Sequence, residues 1–169
     1  MRSLTVLGLF AGCVILQACA SQPVRVERTP PFYQRLDVAG RALDAASSIA
    51  MINEYRRGKG LPMLTLDPVL GRLAQEQALW MGSRDQVRTS LERDRALTTR
   101  LKTAGVAAGV ADENVSAGYR TFAEAFSGWR ESKPHNAVML NPKATRAGIA
   151  TSYQPTSKYQ VFWSLIVAE

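Results

Sequence analysis

The stretch Tyr159-Gln160-Val161-Phe162-Trp163-Ser164-Leu165-Ile166-Val167 decides the fold. Its β-branched and aromatic residues read as an extended strand. Successive side chains of a strand leave on opposite faces. Here Val161, Trp163 and Leu165 take one face, and Phe162 and Ile166 take the other. A strand that is apolar on both faces has to be covered on both sides. Just upstream, Ala147 to Tyr153 is a second extended run. The turn-prone Gln154-Pro155-Thr156-Ser157-Lys158 joins the two, which predicts a β-hairpin.

The cover comes from earlier in the chain. Ala45, Ile49 and Ile52 recur at helical spacing, predicting a helix over 42–57, with Gly58, Gly60 and Pro62 closing it. Asp67-Pro68 starts a second helix, with Asp as N-cap and Pro in the first turn. Its stripe is Leu70, Leu73, Ala74, Ala78 and Met81. Gln77 lies on that stripe, so it has to find a partner or line a cavity. Leu97, Leu101 and Ala104 mark a third helix over 96–103. Glu113 to Gly118 reads as a short strand. Thr121-Phe122-Ala123-Glu124 is a capping box opening a helix with Phe122, Phe126 and Trp129 inward. A short helical segment opens at His135-Asn136 and stops at Pro142. The early helices and the hairpin imply an α-β-α layered domain.

Composition removes much chemistry. The chain has 169 residues, one His (His135) and two Cys, at positions 13 and 19. The body therefore has no internal disulfide, cysteine nucleophile or cysteine metal site, and no two-histidine metal motif. The net charge of +7 is spread among acids rather than gathered in a basic block, so no nucleic-acid partner is expected.

The first residues read as an export signal. Arg2 precedes an apolar run from Leu4 to Leu16, too short to span a membrane. Leu16-Gln17-Ala18-Cys19 then resembles a bacterial lipobox, in which cleavage precedes Cys19 and the cysteine is acylated. The expected organisation is a signal peptide over 1–18, a lipidated Cys19 with a Pro-containing tether over 19–41, and one domain over 42–169. Ala20 after the cysteine implies delivery to an outer membrane, facing the periplasm, with the membrane as partner through the lipid.

Several words in fixed order resemble one family. They are Ile52-Asn53-Glu54-Tyr55-Arg56-Arg57, Leu66-Asp67-Pro68-Val69-Leu70, Glu113-Asn114-Val115, Trp129-Arg130-Glu131-Ser132-Lys133-Pro134-His135, Met139-Leu140-Asn141-Pro142, Gly148-Ile149-Ala150 and Gln160-Val161-Phe162-Trp163. Together the chain resembles the CAP superfamily of cysteine-rich secretory, antigen 5 and pathogenesis-related proteins, in a cysteine-free bacterial branch, over about 45–167. The resemblance implies an α+β fold, an α-β-α sandwich around a small central antiparallel sheet, in agreement with the layered pattern. It also implies a cleft where Glu113 and His135 match two of the family's polar residues. Where the family carries another cleft histidine, this chain has Thr89, and Gln77 stands where one sometimes occurs.

One imidazole and one carboxylate fall short of the three or four ligands zinc requires, so neither a metal nor a cofactor is expected. Three readings of function stay open. One is a non-enzymatic module of the cell envelope, binding lipid, peptide or cell-wall material in a cleft lined by Gln77, Thr89, Glu113 and His135. Another is a purely structural lipoprotein. The third is a hydrolase with His135 as base, Glu113 orienting it, and Thr89 or Ser116 supplying the hydroxyl. No Gly-x-Ser-x-Gly elbow supports the hydrolase.

Overall fold

A computed structural model describes residues 29–87, 95–107 and 109–169. The signal, Cys19, the tether as far as residue 28, and Thr89 lie outside the described residues. The elements are α1 (Ala45–Arg57), β1 (Thr65–Leu66), α2 (Pro68–Arg84), α3 (Leu97–Thr103), β2 (Ala111–Ala117), α4 (Phe122–Glu131), α5 (Lys133–Met139), β3 (Arg146–Tyr153) and β4 (Val161–Ala168), preceded by a 3-10 turn at Pro31–Tyr33. The fold is α+β.

Local chemistry accounts for the helix starts. Asp44 accepts from the Ser47 amide, so α1 begins at Ala45, three residues after the expected start at 42. Asp67 accepts from both Val69 and Leu70. Thr121 Oγ1 accepts from the Glu124 amide, but Glu124 reaches back to the Arg120 amide, one residue before the cap. The expected reciprocal box is therefore displaced by one position. The next helix begins at Lys133 rather than His135, because Pro134 suits a first turn.

The sheet runs in the order β1-β3-β4-β2. β3 and β4 form the expected hairpin, with Ala147 opposite Val167 and Tyr153 opposite Val161. β2 pairs antiparallel with β4, Glu113 opposite Ile166. The two-residue β1 pairs parallel with β3. The sheet is thus mixed rather than wholly antiparallel. β1 escapes sequence detection because two residues carry no periodicity.

β4 is buried along its whole length. Alternation divides its neighbours into two layers. One face, with Glu113, Gly148, Ala150, Ser164 and Ile166, lies under α2 and α3, where Leu70, Leu73, Ala74 and Leu101 pack on Ala150 and Ile166. The other face carries Trp163, Leu165 and Val167 and packs on Ile49, Ile52, Phe122, Trp129 and Met139 of α1, α4 and α5. Its centre is aromatic, with Trp129 and Trp163 edge-to-face at 6.1 Å. Both indoles are satisfied, by Ser116 Oγ and the Tyr119 carbonyl.

The packed body starts before position 42. Leu36 is 4% exposed and belongs to the core, and its amide donates to the Arg120 carbonyl at 2.8 Å. The segment expected to be tether is therefore docked from the 3-10 turn onward, because Phe32 and Leu36 supply enough apolar surface to hold it. Among the described residues no helix is long and apolar enough to cross a membrane.

Candidate functional site

Glu113 sits on β2 and its carboxylate is 2% exposed. It leaves the sheet on the α2/α3 side. Arg100 Nη2 of α3 donates to Oε2 at 2.7 Å, and the Ser164 hydroxyl of β4 donates to Oε1 at 2.9 Å. Burial pushes the Glu113 carboxyl above its usual range, while Arg100, Ser164 and Arg95 offset part of that rise.

Gln77 is fully buried on α2, and Arg95 Nη2 donates to its Oε1 at 3.4 Å. Arg95 also lies over the Trp80 ring, its guanidinium carbon 5.0 Å from the centroid, and Arg84 lies over the same ring at 4.9 Å. Arg100 Nε donates to the Arg95 carbonyl, tying this group to the Glu113 pair. Gln77 and Glu113 therefore belong to one polar seam between the sheet and α2/α3.

His135 does not join them. It is half-buried on α5, under the opposite face. Asn114, the neighbour of Glu113 on β2, points to that face and donates to the His135 carbonyl at 2.8 Å. Among the described residues no hydrogen bond or ion pair links the imidazole to Glu113, whose oxygens go to Arg100 and Ser164. The Glu113–His135 pair on which the hydrolase alternative depends is not formed among the described residues. The physical reason is strand alternation, since the residue of β2 that meets α5 is Asn114 and not Glu113. Burial lowers the His135 pKa. Ser116, the candidate hydroxyl, accepts from the Trp129 indole at 3.0 Å and serves the aromatic core. Thr89 lies outside the described residues.

Arg100 is the residue the sequence reading missed. It stands three after Leu97 and four before Ala104, on the side of α3 that faces inward. A charged residue at that spacing signals a buried partner, and Glu113 was the available acid. Among the described residues no group of three His, Cys, Asp or Glu side chains converges to hold a metal ion.

The α-β-α arrangement with its seam between sheet and helices defines a class of sandwich domain. The family model described as CAP, the cysteine-rich secretory protein family, matches residues 49–167, and the chain belongs to that family. Two solved structures are similar. One is an extracellular protein containing an SCP domain from Bacillus anthracis, at TM-score 0.64 and 22% identity, covering 74% of this chain and 40% of that one. The other is an outer surface protein from Borrelia burgdorferi, at TM-score 0.64 and 17% identity, covering 77% of this chain and 98% of that one. The chain thus spans less than half of the Bacillus protein. No curated protein matches it.

Proposed function

We propose that the protein is a binding module of the cell envelope, held at a membrane by lipid on Cys19, and that it takes lipid, peptide or cell-wall material without converting it. The observation that carries the second half is the state of Glu113. Its two oxygens are engaged by Arg100 and Ser164, and no imidazole reaches it. A general base needs a lone pair aimed at the proton it removes. This carboxylate is instead built into the packing of the seam.

Placement in the envelope rests on the apolar leader and the lipobox-like Leu16-Gln17-Ala18-Cys19. It is in keeping with the similar fold of an outer surface protein and an extracellular protein. An outer-membrane lipoprotein facing the periplasm fits these features.

Two measurements test the reading. Full-length protein isolated from its own membranes should carry copurifying material detectable by mass spectrometry, and clean protein would overturn the binding role. Cys19→Ser should move the protein to the soluble fraction, and continued tight attachment would overturn the anchor. Hydrolytic turnover that disappears in both His135→Ala and Glu113→Ala at unchanged melting temperature would overturn the non-catalytic reading.

A further inference from the structure

Two helix faces meet beside the polar seam. On α2, Val69, Arg72, Leu73 and Glu76 follow the i, i+3, i+4, i+7 spacing of one face. On α3, Arg100, Thr103 and Ala104 follow i, i+3, i+4. Together these residues line a groove of about 330 Å³. That is the size of a small-molecule site at its lower limit.

Its floor is unusual. Arg100 is a cation with only 6% of its side chain exposed, yet it still lines the groove. A guanidinium carries five N–H groups. Three have acceptors: Nε donates to the Arg95 carbonyl, Nη1 to the Leu73 carbonyl and Nη2 to Glu113. Among the described residues, one N–H on each terminal nitrogen has no acceptor. Arg72 adds a second, exposed cation at the wall. Among the described residues its one hydrogen bond, Nη1 to the Pro68 carbonyl, is long at 3.5 Å. Thr103 adds a hydroxyl and Glu76 a carboxylate. Val69, Leu73 and Ala104 supply apolar surface between these charges.

We propose that this groove binds a small zwitterion, an amino acid or dipeptide, with its carboxylate on Arg72 and Arg100 and its amine toward Glu76. This deepens the binding-module reading and rests on it. With Glu113 on Arg100, the groove sets two guanidinium groups against two carboxylates, which suits a ligand of zero net charge whose carboxylate takes charge-assisted bonds from Arg72 and Arg100. Glu76 adds selectivity for a ligand that also carries a cation. A groove of about 330 Å³ matches a ligand of dipeptide size. Arg100 is already fixed by Glu113 and two carbonyls, so little side-chain entropy is lost when it receives a ligand.

The test uses calorimetric titration of the lipid-anchored protein in detergent with alanyl-alanine, its N-acetyl form, its C-terminal amide, and inorganic phosphate. Alanyl-alanine should bind. The amide should bind at least tenfold more weakly, and the N-acetyl form severalfold more weakly. Arg72→Gln should lose tenfold or more. Ala104→Trp, an exposed position, should fill the groove and abolish binding. Glu76→Gln should erase the preference for the free amine. These three variants avoid the Arg100–Glu113 pair, so folding is preserved, and unliganded melting temperatures verify it. Phosphate binding as tight as the dipeptide would overturn the zwitterion. Binding untouched by Arg72→Gln and Ala104→Trp would overturn the groove and leave the module reading standing. If none of the four probes binds, the groove proposal falls, while material copurifying from native membranes still supports the module.

Discussion

Arg56 is buried completely, and among the described residues no carboxylate pairs with it. Its guanidinium donates instead to four carbonyl oxygens: Pro62 at 2.8 Å, Met139 at 2.8 Å, Asn141 at 3.0 Å and Ala144 at 3.1 Å. It ties the end of α1 to the loop between α5 and β3. Burial pulls its pKa down, since the charge has left water. Arg56→Ala would take the donor from four carbonyls, two of them in buried bonds, and open a cavity, a loss expected at about 3 kcal/mol. Arg56→Lys should lose most of that, because a single ammonium cannot fan out to four acceptors as the fork does. Urea unfolding midpoints measure both; a lysine variant as stable as the parent would show that charge alone suffices. The Arg100–Glu113 pair obeys a different rule. Removing one partner strands the other charge indoors, at about 3–5 kcal/mol. Arg100→Met combined with Glu113→Gln should cost clearly less than the two single changes added. A double-mutant cycle showing simple additivity would mean that the two groups do not depend on each other.

Among the elements, α2 shows most directly how backbone sets the packing. A Cβ on Gly148 of β3 would lie 2.2 Å from the Gly71 nitrogen and 2.2 Å from the Leu70 carbonyl carbon. These are helix backbone atoms and cannot rotate away. Gly148→Ala therefore has to lift α2 off the sheet. The expected loss is several kcal/mol, of the kind overpacking produces, visible as a large fall in thermal midpoint by circular dichroism. An unchanged midpoint would show that α2 slides freely. This close approach also explains what could be read from sequence at this scale. Asp67-Pro68 and Thr121 announced their helices because capping is local chemistry. Gly148 announced nothing, since its constraint comes from a helix nearly eighty positions earlier in the chain. β1 and the docking of Leu36 were invisible for a related reason: each exists only through a partner distant in sequence, Arg146 and Ala147 for β1 and Arg120 for Leu36.

For the whole molecule, the two-faced β4 was enough to imply layers, and the layers are there. What pattern alone did not yield was which polar residue belongs to which layer. Glu113 and His135 fall on opposite sides of the sheet, and Glu113 meets Arg100 instead. That separation has a consequence for pH. His135 is the one histidine of the chain. Burial lowers its pKa, so between the ordinary value near 6.5 and its lower folded value the unfolded chain binds the extra proton. Its contribution to stability is therefore complete above about pH 6.5 and is lost as pH falls toward the folded pKa. Glu113 acts with the opposite sign. Its raised pKa means that the folded state holds the proton longer, so its contribution weakens as pH rises from the ordinary carboxylate range through the folded value. The two contributions have opposite signs. His135→Gln removes one of them and leaves the other. Measured by urea unfolding across about pH 5.5–7.5, the parent should therefore lose stability relative to His135→Gln as pH falls below about 6.5 and keep a constant difference from it above that value. A variant that parallels the parent at every pH would show that the His135 ring is as well hydrated folded as unfolded.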